Sequence, residues 1–232
     1  MKSSIFSAII LLFGTSLPAA APPHIIHVLN WHYVPKGSFA VDLRDQSDKP
    51  ISDEEVDRHY EEFLNTVEKV QREQIKLLRE LIKKHKLKHI YLEGFSKEEL
   101  PAFHKRIEVL RDAEKKKPKG DSPIELLILY QLRLDLLEVG ASGRLMIDGV
   151  IEVLPAEDAA LLEKANPVKG GKVQFNSEIN ENREDAIVQN LLKGGSVVLV
   201  VMGGAHDLSN NVPKGCKYER VGTKAYWEAV GE

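Results

Sequence analysis

The sequence predicts an α/β fold in which a mostly parallel central sheet is flanked by helices. Residues 197–202 form a continuous, mostly β-branched apolar run that ends at Gly203 and Gly204. Such a run is typical of a central strand that is buried on both faces. Residues 25–32 and 89–95 repeat the pattern of an apolar strand that ends in polar side chains. Helical segments separate these strands, as expected when crossover helices connect parallel neighbours.

Ionisable side chains stand where the three predicted strands end. These side chains are His32, Glu93 and His206. In open α/β sheets, ligands bind at the carboxyl ends of the strands. If the three strands are parallel neighbours, the two histidines and the glutamate converge on one edge of one sheet. We therefore expect the functional site at that edge.

The first 21 residues have the pattern of a signal peptide and are not expected to belong to the fold. An apolar core at 5–13 is followed by small residues at 16–21, which match a signal-peptidase site with cleavage after Ala21. The core is too short to anchor the chain in a bilayer, and no lipobox cysteine lies near the junction. We predict an exported protein, periplasmic or secreted, with residues 22–232 forming a single α/β domain.

Charge and cysteine content exclude several classes of function. The formal net charge is −3, and removal of residues 1–21 with Lys2 makes it −4. This balance argues against a nucleic-acid partner. The lysine-rich run at 115–119 is interpreted as a solvated linker. Cys216 is the only cysteine, so no internal disulfide can form. The sequence places no obvious base beside Cys216, so a catalytic thiol is not expected.

A long amphipathic helix follows the first strand. Ser52 and Glu55 form a capping box at its start, and apolar residues recur every three or four positions to about Lys86. At 1.5 Å per residue the helix would reach roughly 50 Å, so we expect a kink or break. His59 and His85 lie off the apolar stripe and are predicted to face solvent.

A second helix, at 124–139, is apolar on nearly all sides. Ser122 and Glu125 again predict a capped start, and Gly140 is expected to end the helix. This helix is either a buried central element or part of a self-association face, and the second alternative allows a homodimer.

The other segments complete the predicted topology. They are a turn at 33–45, a helix at 96–110, a β-like segment at 144–154, a short helix from 155 to about 164, a polar loop at 166–177, a helix at 180–193 and a tail at 215–232. Each half of the chain ends one strand in a histidine, which suggests two βα-rich repeats.

The residue types at the predicted site allow two kinds of chemistry. Two histidines and a glutamate can hold a divalent metal with an open position, or act as general base and orienting partner without one. Arg183, at the head of a helix, can clamp a carboxylate or phosphate, or it can pair with Glu181 or Asp185. Glu157 is interpreted first as a helix-start acid, with a site carboxylate as the alternative. No Gly-x-Ser-x-Gly elbow or phosphate-binding glycine loop is present.

The order of these motifs resembles a known superfamily. The motifs are His32 after the first strand, Glu93 after the second, the Arg-Glu-Asp helix start at 183–185 and the glycine-rich strand end at 203–206. The chain is similar in this order to erythromycin-esterase-like proteins, ChaN-like haem-binding lipoproteins, and the TraB and Tiki proteins. It departs from the usual Gly-x-x-His motif, because Leu29 stands in the glycine position.

The resemblance implies three hypotheses of function. In an exported hydrolase of an ester or peptide, His32 would activate water or bind a metal, and Glu93 would orient it or act as a ligand. His206 and Arg183 would stabilise the oxyanion. The second hypothesis is a haem or iron carrier with His32 or His206 as axial ligand. The third is a catalytically silent relative. The predicted metal ligands are His32, Glu93 and His206.

Overall fold

The computed structural model describes residues 22–165, 168–169, 172–173 and 176–231. The predicted signal peptide, residues 1–21, lies outside the described residues, as does half of the predicted polar loop at 166–177. Among the described residues, no helix combines the length and the apolar character needed to cross a membrane.

A five-stranded, all-parallel sheet forms the centre of the molecule, which confirms the predicted α/β class. Its strand order is β3-β2-β6-β1-β7. The described strands are β1 His24–Asn30, β2 His89–Ser96, β3 Glu152–Glu157, β4 Val168–Lys169, β5 Lys172–Val173, β6 Val197–Gly203 and β7 Lys217–Val221, of which β4 and β5 form a separate antiparallel pair. The predicted central strand, β6, lies in the middle of the sheet.

Seven α-helices flank the sheet in the described part of the chain. They are α1 Lys36–Asp45, α2 Asp53–His85, α3 Leu100–Lys115, α4 Pro123–Ile147, α5 Ala159–Ala165, α6 Ser177–Leu191 and α7 Lys224–Val230. One face of the sheet packs against α2, α3 and α4, and the other packs against α6. Both faces of β6 are therefore covered, which explains its unbroken apolar sequence. The suggested two-fold repeat stays a prediction.

Helix α2 begins as predicted but has no kink. The Ser52 and Glu55 side chains form the expected capping box. The helix then runs without interruption to His85, because it contains neither glycine nor proline, the usual causes of a sharp bend. Gln74, a polar residue on the apolar stripe, donates to the Leu29 carbonyl at the end of β1 over 2.7 Å. The stripe thus contacts the strand end that leads into the predicted site.

The prediction of a β-like segment at 144–154 was wrong for residues 144–147 and is confirmed only for residues 152–154. Gly140 has non-helical dihedral angles (φ 67°, ψ −171°) and interrupts α4, as expected, but the helix resumes and continues to Ile147. Ala141 and Leu145, one helical turn apart, pack into the core on this second part. Strand β3 begins only at Glu152.

Three further assignments are corrected by the structure. Glu157 belongs to the end of β3, and helix α5 begins after it, with the Asp158 carboxylate accepting from the N–H groups of its first turn. The predicted tail contains β7 and α7, since the Lys217–Val221 segment pairs with β1 as an edge strand. The predicted turn at 33–45 forms helix α1 after Pro35.

His27, on β1, is a fully buried histidine that makes two hydrogen bonds. Its Nδ1 lies 2.8 Å from the Tyr218 hydroxyl, and its Nε2 lies 3.2 Å from the Met202 carbonyl. Burial lowers the pKa of His27 to about 4, despite the opposing contact with the Met202 carbonyl. The ring is therefore neutral in the folded protein at neutral pH.

This burial predicts a loss of stability in mild acid. The unfolded chain binds a proton at His27 near pH 6.5, whereas the folded chain does so only near pH 4. The contribution of neutral His27 to the free energy of unfolding is complete above pH 6.5. It is lost as the pH falls toward 4, by about 3 kcal/mol in total. Urea unfolding between pH 7 and 5 measures this slope. The variant His27→Gln should have a shallower slope over the same range, and equal slopes would contradict the prediction.

Candidate functional site

The carboxyl ends of three neighbouring strands build the site. Strand β6 lies between β1 and β2, so the ends of all three strands share one edge of the sheet. His32 follows the end of β1, Glu93 lies within β2 and His206 follows the end of β6. The convergence expected from the sequence is therefore present, and it depends on the parallel pairing of β6 with both neighbours.

Glu93 is the centre of the site. Its Oε1 lies 3.3 Å from His206 Nε2 and 3.4 Å from a terminal nitrogen of Arg183. Its Oε2 lies 3.8 Å from His32 Nε2 and accepts a hydrogen bond from the Gly203 N–H. Burial alone would raise the pKa of Glu93, but the His206 hydrogen bond and the charges of His32 and His206 lower it to about 2. The carboxylate is therefore ionised at neutral pH.

His206 is held between two carboxylates. Its Nδ1 lies 2.7 Å from Glu184 Oε1, and its Nε2 faces Glu93. Burial opposes protonation of His206, but its contacts with Glu93 and Glu184 outweigh burial and raise its pKa above the usual value. Both ring nitrogens are thus engaged, which fits a positively charged, fixed ring.

Arg183 forms a buried pair with Glu157 at the back of the site. Its Nε lies 3.1 Å from Glu157 Oε2 and its terminal nitrogen lies 2.5 Å from Oε1, a bidentate arrangement. The side chain of Glu157 is fully buried. The sequence interpretation as a helix-start acid was wrong, because Glu157 ends β3 as Glu93 ends the apolar part of β2. The pattern of an apolar strand followed by a carboxylate is the signal that could have identified it.

His32 is the accessible member of the group. Its side chain is 53% exposed, against 16% for His206. Its Nδ1 lies 3.3 Å from the side-chain nitrogen of Asn30, and the side-chain oxygen of Asn30 accepts from Gln74 on α2. The helix thus orients the asparagine, and the asparagine orients the ring.

A cleft with a volume of about 860 Å³ opens above His32, Glu93 and His206. Aromatic and aliphatic side chains form much of its wall, including Trp31, Phe63, Tyr226, Trp227 and Val230. Arg220, on the edge strand β7, also lines it and donates to the Gly204 carbonyl over 2.5 Å. Arg220 was not predicted as a site residue, since the C-terminal segment was interpreted as a tail.

Two glycines at the end of β6 are required by close contacts within the site. A Cβ on Gly203 would lie 2.6 Å from His32 Nε2 and 3.5 Å from Glu93 Oε2. A Cβ on Gly204 would overlap the Tyr226 hydroxyl. The first contact is with a half-exposed ring that can move, whereas Tyr226 is buried.

These contacts predict different effects for two alanine variants. Gly203→Ala should displace the His32 ring and leave stability nearly unchanged. Gly204→Ala should destabilise the fold by about 1–3 kcal/mol, because a buried tyrosine must shift. Chemical denaturation gives the stabilities, and the NMR shifts of the His32 ring report its displacement. A Gly203→Ala variant with an unperturbed His32 resonance would contradict the first prediction.

In three comparisons, no family model, no curated protein and no solved structure matched the chain. The assignment of function therefore depends on the geometry of the site alone.

The predicted metal ligands meet at the site. Within the ranges that the structure describes, however, no group of three or more His, Cys, Asp or Glu side chains is arranged to hold a metal ion. Both oxygens of Glu93 already accept from other donors, namely Gly203 and Arg183. A divalent metal bound by His32, Glu93 and His206 stays a prediction, and binding would require Glu93 to exchange partners.

Other residues considered in the sequence lie apart from this group. His59, beside Arg58 on α2, and His85, near His24, are both only partly exposed, whereas both were predicted to face solvent. Cys216 is partly exposed and unpaired in the loop before β7. Cys216 therefore adds no residue to the candidate site.

Proposed function

We propose that this protein is an exported hydrolase that cleaves an ester or a peptide at the His32, Glu93, His206 and Arg183 site. The observation that carries the proposal is one accessible histidine beside a buried, ionised carboxylate at the base of a cleft. Histidine is the most frequent general base in enzymes, and a neighbouring carboxylate stabilises the imidazolium that forms when it takes a proton.

His32 is the proposed general base. A separation of 3.8 Å between His32 Nε2 and Glu93 Oε2 is too long for a direct hydrogen bond, but one water can contact both atoms. Water attacks the substrate carbonyl carbon, its proton passes to Nε2, and the carbonyl becomes an oxyanion. When the oxyanion collapses, the ester C–O or peptide C–N bond breaks and the leaving group takes the proton from Nε2. Proton uptake at Nε2 needs Nδ1 to carry the other ring proton. In the structure the Asn30 amide nitrogen faces Nδ1, so this tautomer requires Asn30 to turn its oxygen to the ring and to give up the hydrogen bond from Gln74.

Glu93 is a positioning residue in this proposal. With a pKa of about 2 it does not take up protons at neutral pH, and its charge favours the imidazolium form of His32. His206 and Arg183 direct their N–H groups at carboxylates, so they hold Glu93 in place. The sequence suggested that His206 and Arg183 stabilise the oxyanion. We assign this role instead to Arg220, the cation on the cleft wall.

Metal analysis, an absorbance scan and activity assays together test this function. The protein is purified without chelators, analysed for metals and scanned for visible absorbance, and then assayed against panels of esters and peptides with and without a chelator. We expect hydrolysis that is lost in His32→Gln. Chelator-sensitive turnover with stoichiometric metal would assign His32, Glu93 and His206 as ligands. Absence of turnover on both panels would reject the hydrolase and favour a catalytically silent relative.

Binding of haem or another iron ligand is the second candidate. It is favoured by the half-exposed His32 ring beneath the aromatic wall formed by Trp31, Tyr226 and Trp227. His32 is the better axial ligand, because Glu184 and Glu93 engage both nitrogens of His206. Haem bound by the chain would supply an iron centre for ligand binding or electron transfer. A Soret shift on haem titration that is lost in His32→Ala would support this candidate, and an unchanged spectrum would reject it.

A further inference from the structure

The start of helix α4 exposes a cluster of large aliphatic side chains. Ile124, Leu126, Leu127 and Ile128 are 50–72% exposed. The other large hydrophobic residues that the described structure leaves exposed are single valines on three different helices, namely Val41, Val109 and Val230. Isolated apolar residues are normal on a surface, whereas four within the five positions 124–128 form a patch, with Ile124, Leu127 and Ile128 on one side of the helix.

A lysine-rich segment lies directly beside this patch. Lys115, Lys116, Lys117 and Lys119 are all exposed in the connection from α3 to α4. Lys115 lies 3.5 Å from Asp112. Within the described ranges, no carboxylate lies within 4.0 Å of the other three lysines.

The connection is fixed on the helix start by Glu125. Its carboxylate accepts from the N–H groups of Gly120 and Asp121, at 3.1 and 2.7 Å. Ser122 caps the helix by accepting from the Glu125 N–H. The lysine-bearing connection is therefore held at the same end of α4 as the aliphatic side chains, and we call this region the α4 tip (residues 115–128).

We propose that the α4 tip docks on the surface of a lipid bilayer that contains anionic lipids. The aliphatic side chains would enter the boundary between head groups and acyl chains, and the lysines would contact the anionic head groups. This is peripheral binding, since the patch covers only the first turns of the helix.

Charge complementarity favours this occupant over a second copy of the chain. A two-fold symmetric contact places the same patch of both copies together. Residues 115–128 carry four lysines and only two carboxylates, Asp121 and Glu125, so such a contact would bring two regions of like net charge together, which is unfavourable. An anionic lipid surface supplies the missing negative charge.

Vesicle co-flotation tests the proposal with the chain from residue 22 onward, which contains every described element of the fold. The vesicles contain phosphatidylcholine alone or phosphatidylcholine with 30% phosphatidylglycerol. We expect binding to the anionic vesicles that falls at least about tenfold in Ile124→Gln/Leu127→Gln. The variant Lys116→Gln/Lys117→Gln/Lys119→Gln should also bind at least about tenfold more weakly, since each lysine near such a surface contributes roughly fivefold.

Matched variants separate the α4 tip from a general surface effect. Val41→Gln removes an exposed apolar side chain elsewhere, and Lys83→Gln/Lys84→Gln removes exposed charges near the end of α2. Both should bind like the unmodified chain, and thermal unfolding confirms that all variants fold. The proposal is overturned if the unmodified chain does not float with anionic vesicles, or if the α4 variants bind equally well. A dimer in sedimentation that Ile124→Gln/Leu127→Gln converts to a monomer would instead assign the α4 tip to self-association.

Discussion

The variant Glu93→Gln is expected to lower kcat by at least about a hundredfold while the fold is retained. Glutamine keeps the shape of the side chain but removes the charge that stabilises protonated His32 during attack by water. The same change should lower the pKa of His206, because the Glu93 contact is the largest of the effects that raise it. An NMR titration of the His206 ring measures this pKa without knowledge of the substrate.

Glu98→Gln is the matched control for Glu93→Gln, since Glu98 is exposed just beyond β2. It should leave both kcat and the His206 titration unchanged. If Glu93→Gln retains full activity on a substrate that depends on His32, the proposed role of Glu93 is wrong. If only the His206 pKa falls, the electrostatic description of the site is correct and the catalytic one is not.

The variant Arg183→Met is expected to destabilise the protein by about 3–5 kcal/mol. It leaves the fully buried Glu157 carboxylate without its bidentate partner, and an uncompensated buried charge is costly. The free energy of unfolding from urea titration measures the loss. The double variant Arg183→Met/Glu157→Leu should recover much of it, because both charges are then replaced by apolar groups of similar size.

Arg79→Met provides the exposed counterpart of that experiment. Arg79 and Asp148 form a pair at 2.5 Å, but both side chains are largely exposed. Its loss should cost less than about 1 kcal/mol. Equal effects of Arg79→Met and Arg183→Met would show that burial of Glu157 does not determine the energetics of the site.

The sheet and the strand-end residues were predictable because they depend on local patterns. The apolar run before Gly203 indicates a buried strand whatever follows it, and an ionisable residue after such a strand lies at the sheet edge. His32, Glu93 and His206 were found on these grounds. Arg183 was predicted at the start of a helix from about Asn180, but α6 begins at Ser177, so Arg183 lies in its second turn. Its partner Glu157 was not identified.

The rest of the site depends on strand order, which local patterns do not determine. Glu157 contacts Arg183 because β3 pairs with β2, and Arg220 reaches the cleft because β7 pairs with β1. The role of Asn30 likewise depends on packing of α2 against the end of β1. Glu184 was part of the quoted helix motif, but its contact with His206 becomes visible only in three dimensions.

Helix lengths were the other source of error. The absence of glycine and proline from α2 was a better guide than its length of 33 residues. At Gly140 the positive φ interrupts α4 without ending it, because the following residues regain an apolar helical face. Non-helical dihedral angles at a single residue therefore do not by themselves mark the end of a helix.

The most direct test of the proposed hydrolase is the rate of hydrolysis of the best ester or peptide substrate by the unmodified protein, His32→Gln and His59→Gln. His59 is a partly exposed histidine on α2 outside the cleft and serves as the control. The proposal predicts that His32→Gln loses at least about a hundredfold in kcat and that His59→Gln keeps the full rate. Equal rates in all three proteins would contradict the assignment of His32 as the general base.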